Sequence, residues 1–175
     1  RIPVSDGVEN QAEGAQLLLL AEALNGFHGQ HTLEIVAING EDYYSAPGEM
    51  EYLRRNQDAF DTITLAINLD GLGYIKGKTA YSLYGCPDDL AAAARAGLSG
   101  YAGLVEGEPW YQGDHMMMVM NQRPALALTS DQVMELLTTI IHTEQDVPAM
   151  VDPARLVEAA AALRAVIAQV DRLKR

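Results

Sequence analysis

Apolar and polar positions along the chain fall into two periods. In residues 12–24 the apolar positions Leu17, Leu20, Ala21 and Leu24 recur at helical spacing, and Asn25-Gly26 follows as a stop. Residues 47–56, 87–96 and 131–138 predict further helices, and 114–122 a short one. The last helix opens at Asp152-Pro153, with Asp as cap and Pro in the first turn, and its stripe is Leu156, Ala160, Leu163, Ile167 and Val170. Between the helices lie short β-branched or apolar runs: 32–38 (TLEIVAI), 62–69 (TITLAINL), 79–85 (TAYSLYG) and 124–130 (PALALTS). The runs at 32–38 and 62–69 read as buried strands, the second apolar nearly throughout, as in a strand covered on both faces. Strands alternating with helices predict an α/β fold, a mostly parallel sheet flanked by helices, in one domain over residues 1–175.

In such sheets ligands bind beyond the carboxyl ends of the strands. The run at 32–38 is followed by Asn39-Gly40-Glu41-Asp42, and the run at 62–69 by Asp70-Gly71. Three carboxylates at one edge repel one another unless a cation or proton joins them. A divalent metal held by carboxylate and imidazole meets that need, and zinc accepts such a mixed set. His142, in IIHTEQDVP, supplies the imidazole, with Thr143 and Asp146 placed to orient it. Tyr43 and Tyr44 follow the acidic pair, where one hydroxyl could steady an oxyanion. Trp110 and Tyr111 lie in an exposed loop that could wall a pocket, and Met116, Met117, Met118 and Met120 either line that pocket or pack in the core.

Composition narrows the rest. The 175 residues are 49% hydrophobic, enough for a core, and the formal charge of −12 with no basic patch excludes a nucleic-acid partner. No apolar run reaches the ~20 residues of a membrane span. No signal peptide is visible, which leaves the cytoplasm as the expectation. One cysteine, Cys86, excludes an intrachain disulfide framework and a cysteine-rich zinc site.

Five stretches in order resemble the zinc aminopeptidases with two adjacent metals, the family that also contains the glutaminyl cyclases. They are GVENQAEG (7–14), NGEDYYSAPGEMEYL, INLDGLG, GDHMMMVMNQRPALALTS and IIHTEQDVPAMVDPARL. The resemblance implies a zinc-exopeptidase-like (phosphorylase/hydrolase-like) three-layer sandwich lacking its first strands, the C-terminal portion of the family's catalytic domain. It implies Glu41 as the general base, Asp42 and His142 as ligands of one zinc, and Asp70 as a ligand of the other in aminopeptidases, though not in the cyclases. Asp114 and His115 match a pair close to the substrate pocket and are not assigned as ligands. Asn10 stands where the family has its metal-bridging Asp, and the family's upstream H-x-D motif has no counterpart in RIPVSD; His28 and His31 read as surface residues. One zinc ion or none is therefore expected, with Asn10 as a neutral donor.

Three readings follow. The first is an aminopeptidase-type hydrolase cleaving N-terminal residues from peptides; the second is a catalytically inactive relative used for binding or assembly; the third is a glutaminyl-cyclase-like acyl transferase with a single zinc. A sheet without its first strands also predicts an exposed edge, covered by a second copy or another partner chain.

Overall fold

The computed structural model describes residues 1–7, 11–40 and 45–173. Six strands, β1 (Ile2–Gly7), β2 (Leu33–Ile38), β3 (Ala66–Leu69), β4 (Thr79–Tyr84), β5 (Leu104–Glu106) and β6 (Ala125–Ser130), form one sheet in the order β2-β1-β3-β6-β4-β5. β2, β1, β3 and β6 run parallel, so their carboxyl ends share one edge. β4 reverses against β6, with Thr79 level with Ser130, and β5 runs parallel to β4.

Helices α1 (Gln11–Ala23), α2 (Pro47–Asn56), α3 (Asp88–Leu98), α4 (His115–Met120), α5 (Val133–Glu135) and α6 (Pro153–Val170) complete the chain. The central strands are apolar on both faces because both are covered. Along β6, Leu126 and Leu128 pack with Leu17, Leu20, Leu90, Leu98, Leu163 and Ile167 from α1, α3 and α6. Its alternate residues Ala125 and Ala127 pack with Tyr52 of α2, Tyr84, and Met117 and Met118 of α4. The result is three layers, with the sheet between α1/α3/α6 and α2/α4. α3 crosses α6 at Gly97, where a Cβ would lie 2.6 Å from the Val166 Cα, so only glycine permits that approach. Every residue of the stripe expected on α6 is buried, and Asp152 Oδ1 accepts a hydrogen bond from the Ala154 N–H at 2.9 Å as the N-cap.

Four elements depart from the sequence expectation. β5 was not expected, in a stretch read as an exposed loop. β1 was not expected, because Pro3 and the Ser5-Asp6-Gly7 run argue against a central strand; Pro3 precedes the first β1–β3 pair, Val4 with Ile67. β2 is an outer strand and half-exposed, so of the two strands expected to be buried only β3 is. The helix expected over 131–138 is α5 followed by a π-helical turn at Leu136–Ile140, closed by the Ile141 N–H to the Leu136 carbonyl at 2.9 Å. Among the described residues no helix is long and apolar enough to cross a membrane.

Candidate active site

Asp70 is the first residue after β3, at the shared carboxyl edge of the parallel strands. The chain then runs through Tyr74, which bridges to Val151, and the Ile75 N–H donates to the Met150 carbonyl at 3.0 Å. The Asp152 N–H donates to the Gly73 carbonyl at 2.7 Å. These bonds tie the segment after Asp70 to residues 150–152, downstream of His142.

His142 is exposed and follows the π-helical turn with a left-handed backbone, φ 60°. Such a conformation in a non-glycine residue costs about 1 kcal/mol, and π-helical turns recur at functional sites. The Thr143 hydroxyl donates to the Ile140 carbonyl at 2.7 Å and accepts from the Gln145 N–H at 3.1 Å, which fixes the turn behind His142. Asp146 is exposed on the same turn.

On the other side of Asp70 the arrangement is closed. Gly113 has φ 99°, and a Cβ there would lie 3.0 Å from both Asp70 Oδ2 and Trp110 Cη2. The glycine thus lets the indole, the carboxylate and the backbone meet. Asp114 and His115 follow, each 1% exposed. The His115 ring lies 4.4 Å from the Trp110 ring and 4.8 Å from the Tyr84 ring, centroid to centroid. Its Nε2 is 3.0 Å from the Trp110 carbonyl oxygen, which only accepts, so Nε2 carries the proton. Nδ1 is then the acceptor for the Asn68 amide at 3.3 Å. Burial pushes the His115 pKa below its ordinary value, with the Trp110 carbonyl pulling the other way, and the ring is neutral. With both nitrogens engaged, His115 holds the Trp110 loop in place.

Tyr84 does the same from β4. Its hydroxyl donates to the Trp110 carbonyl at 2.7 Å and accepts from the Trp110 N–H at 2.8 Å. Desolvation raises its pKa, so the phenol stays protonated and keeps both bonds. Ser82 adds bonds to the Gly107 and Glu108 carbonyls at 3.2 and 2.9 Å. Asn68, Ser82 and Tyr84 were missed in the sequence. Alternation places them together on the face that the Trp110 loop crosses, but β4 carries hydroxyls on both faces, Thr79 and Tyr81 opposite Ser82 and Tyr84, which hides which face that is.

Of the other residues singled out, Glu41, Asp42, Tyr43, Tyr44 and Asn10 lie outside the described residues. Met117 and Met118 are buried in the core, whereas Met120 is 79% exposed. His31, expected at the surface, is half-buried, with Nδ1 2.9 Å from Asp171 Oδ1. Among the described residues no three His, Cys, Asp or Glu side chains stand close enough to hold a metal ion.

No protein-family model matches the sequence, and no curated protein does so significantly. Solved structures do match in fold. The LapA aminopeptidase of Legionella pneumophila superposes with a TM-score of 0.80 at 11% identity, covering 99% of this chain and 51% of that one. BSAP, a zinc aminopeptidase from Bacillus subtilis, gives 0.79 at 14%, covering 99% and 46%. A glutaminyl cyclase from an Acidobacteriales bacterium gives 0.77 at 13%, covering 98% and 69%. The chain spans about half the length of these aminopeptidases. Its fold is therefore that of the zinc aminopeptidases and glutaminyl cyclases, the family that its motifs resemble.

Proposed function

We propose that this chain is a metallopeptidase-like hydrolase of the aminopeptidase type, acting on the N-terminal residue of peptides. The observation that carries the reading is Asp70. It is a carboxylate at the carboxyl end of a central buried strand, and Gly113 lies where both its Oδ2 and the Trp110 indole approach, with the Trp110 backbone held by hydrogen bonds from Tyr84 and His115. In an open α/β sheet that edge is where ligands bind. The fold shared with zinc aminopeptidases supports the same reading.

In this account Asp42 and His142 would hold one zinc ion, with Asn10 as a neutral donor. Zinc, when bound, supplies Lewis-acid polarisation of the scissile carbonyl and a lowered pKa for water. Glu41 accepts the proton of the attacking water and returns it to the leaving amine. Trp110 walls the pocket and excludes water from one side of the peptide, and its position is set by Tyr84 and His115. Tyr43 is the hydroxyl best placed in sequence to meet a developing oxyanion.

The glutaminyl-cyclase-like reading has one observation in its favour. A glutaminyl cyclase shares the fold, with a TM-score of 0.77. Zinc-loaded protein assayed on aminoacyl nitroanilides and on N-terminal glutaminyl peptides separates the two. Release of nitroaniline, lost in Glu41→Gln, is the expected result. Cyclisation of the glutaminyl peptide alone moves the assignment to the acyl transferase, and no turnover of either substrate leaves a non-catalytic binding domain.

A further inference from the structure

His142 heads an exposed stretch, residues 142–149, entered from Ile140-Ile141 and left at Met150-Val151. Such a stretch is placed by whatever holds its two feet. Both feet meet on one residue. Tyr74, four residues past Asp70, is 4% exposed and packs with Leu136 and Ile140, while Ile141 and Met150 lie against the same cluster.

The upstream foot is held by the side chain. The Tyr74 hydroxyl donates to Glu135 Oε1 at 2.9 Å. Lys76 donates to the same oxygen, and its Nζ lies 5.8 Å from the centre of the Tyr74 ring. The bond from Lys76, and then that from Tyr74, hold the Glu135 carboxyl below its usual range, so the phenol donates to a full carboxylate. The start of this foot is tied to the same strip. The Asp131 N–H donates to the Lys78 carbonyl, and the Lys78 N–H to Asp131 Oδ1, both at 2.9 Å. The downstream foot is held by the backbone, through the bridge of Tyr74 to Val151 and the flanking bonds from Ile75 to Met150 and from Asp152 to Gly73. Arg155 of α6 steadies the strip by donating to the Ile75 and Gly77 carbonyls.

We propose that Tyr74 is a positioning residue for His142, clamping both feet of the 142–149 stretch and so fixing where His142 stands relative to Asp70. A phenylalanine would fill the same cluster, so packing does not account for the hydroxyl. Its bond to Glu135 sets how the π-helical turn seats on the strip, and His142 follows that turn by two residues. What His142 does there rests on the metal-site reading; the clamp is a property of the fold.

Tyr74→Phe, Glu135→Leu and Glu135→Gln test it, by amide hydrogen exchange of the metal-free protein and by zinc affinity from chelator competition. Tyr74→Phe and Glu135→Leu should each speed exchange at Ile141 and Thr143, whose N–H groups bond to the Leu136 and Ile140 carbonyls. Ile75 and Asp152, on the foot held by the backbone, should exchange as in the wild type. Zinc affinity should fall about ten-fold in both variants at a nearly unchanged melting temperature, and the double variant should lose no more than either alone. Glu135→Gln keeps an acceptor for the phenol and should restore both readouts. Wild-type exchange at Ile141 and Thr143 in Tyr74→Phe overturns the proposal, and so does wild-type zinc affinity in that variant. A wild-type chain that binds no zinc defeats the metal reading instead, and exchange alone then decides the clamp.

Discussion

The two sides of Asp70 are built on opposite plans. Toward Gly113 the site is a buried wall, where His115 sits between two aromatic rings, both its nitrogens are engaged, and Tyr84 grips both backbone groups of Trp110. Toward His142 it is an exposed turn on a π-helical segment, with a left-handed residue at its head. Packing decides geometry on the first side, and local backbone strain decides it on the second. A buried wall contributes to stability, whereas an exposed strained turn costs it.

The sharpest way to break that contrast is His115→Ala. It removes a buried ring and leaves the Trp110 carbonyl and the Asn68 amide without their partner. The expected loss is about 3 kcal/mol, or a fall of about 6–12 °C in melting temperature by calorimetry. A fall below about 2 °C would mean that His115 is not the wall's anchor. Its protonation gives a second signature. The folded pKa lies below the unfolded value of about 6.5, so the unfolded chain takes up the proton first as pH falls. The stability from neutral His115 is therefore complete above about pH 6.5 and is lost below it. Melting curves at stepped pH should show this slope in the wild type and a shallower one in His115→Ala.

Tyr84→Phe is expected to cost less, about 1–2 kcal/mol, because the ring stays while the Trp110 N–H loses its acceptor. Trp110 is the only tryptophan, so a red shift of its fluorescence reports directly on loosening of the loop. His142→Gly should have the smallest effect, under about 1 kcal/mol, since glycine accepts the left-handed backbone that histidine adopts under strain. If calorimetry instead gave His142→Gly the larger loss, the contrast between wall and turn would be reversed.

The same contrast sets how much the sequence reveals. α2 is legible to the residue, 47–56, because Pro47 opens it and the apolar positions keep helical phase. The stripe on α6 is legible for the same reason. β1 is not, because Pro3 and Asp6-Gly7 carry turn chemistry, and only pairing on both sides with β2 and β3 makes that segment a strand. Asp70 and His142 can be picked out because acids and imidazoles at strand and helix ends are chemically conspicuous. Tyr84 and Asn68 are not, since a polar group on a buried strand declares its role only when the layer above it is known. Glu41 and Asp42, the residues on which the proposed chemistry turns, lie outside the described residues, and the roles proposed for them rest on the sequence motif.

The central claim is that the carboxyl edge around Asp70 is a metal site. Elemental analysis of protein purified without chelator and dialysed against zinc tests it most directly. The account predicts close to one zinc per chain, lost in Asp42→Ala and in His142→Ala while the melting temperature of the metal-free protein stays within a few degrees of the wild type. Zinc no higher than background in the wild-type chain would contradict it.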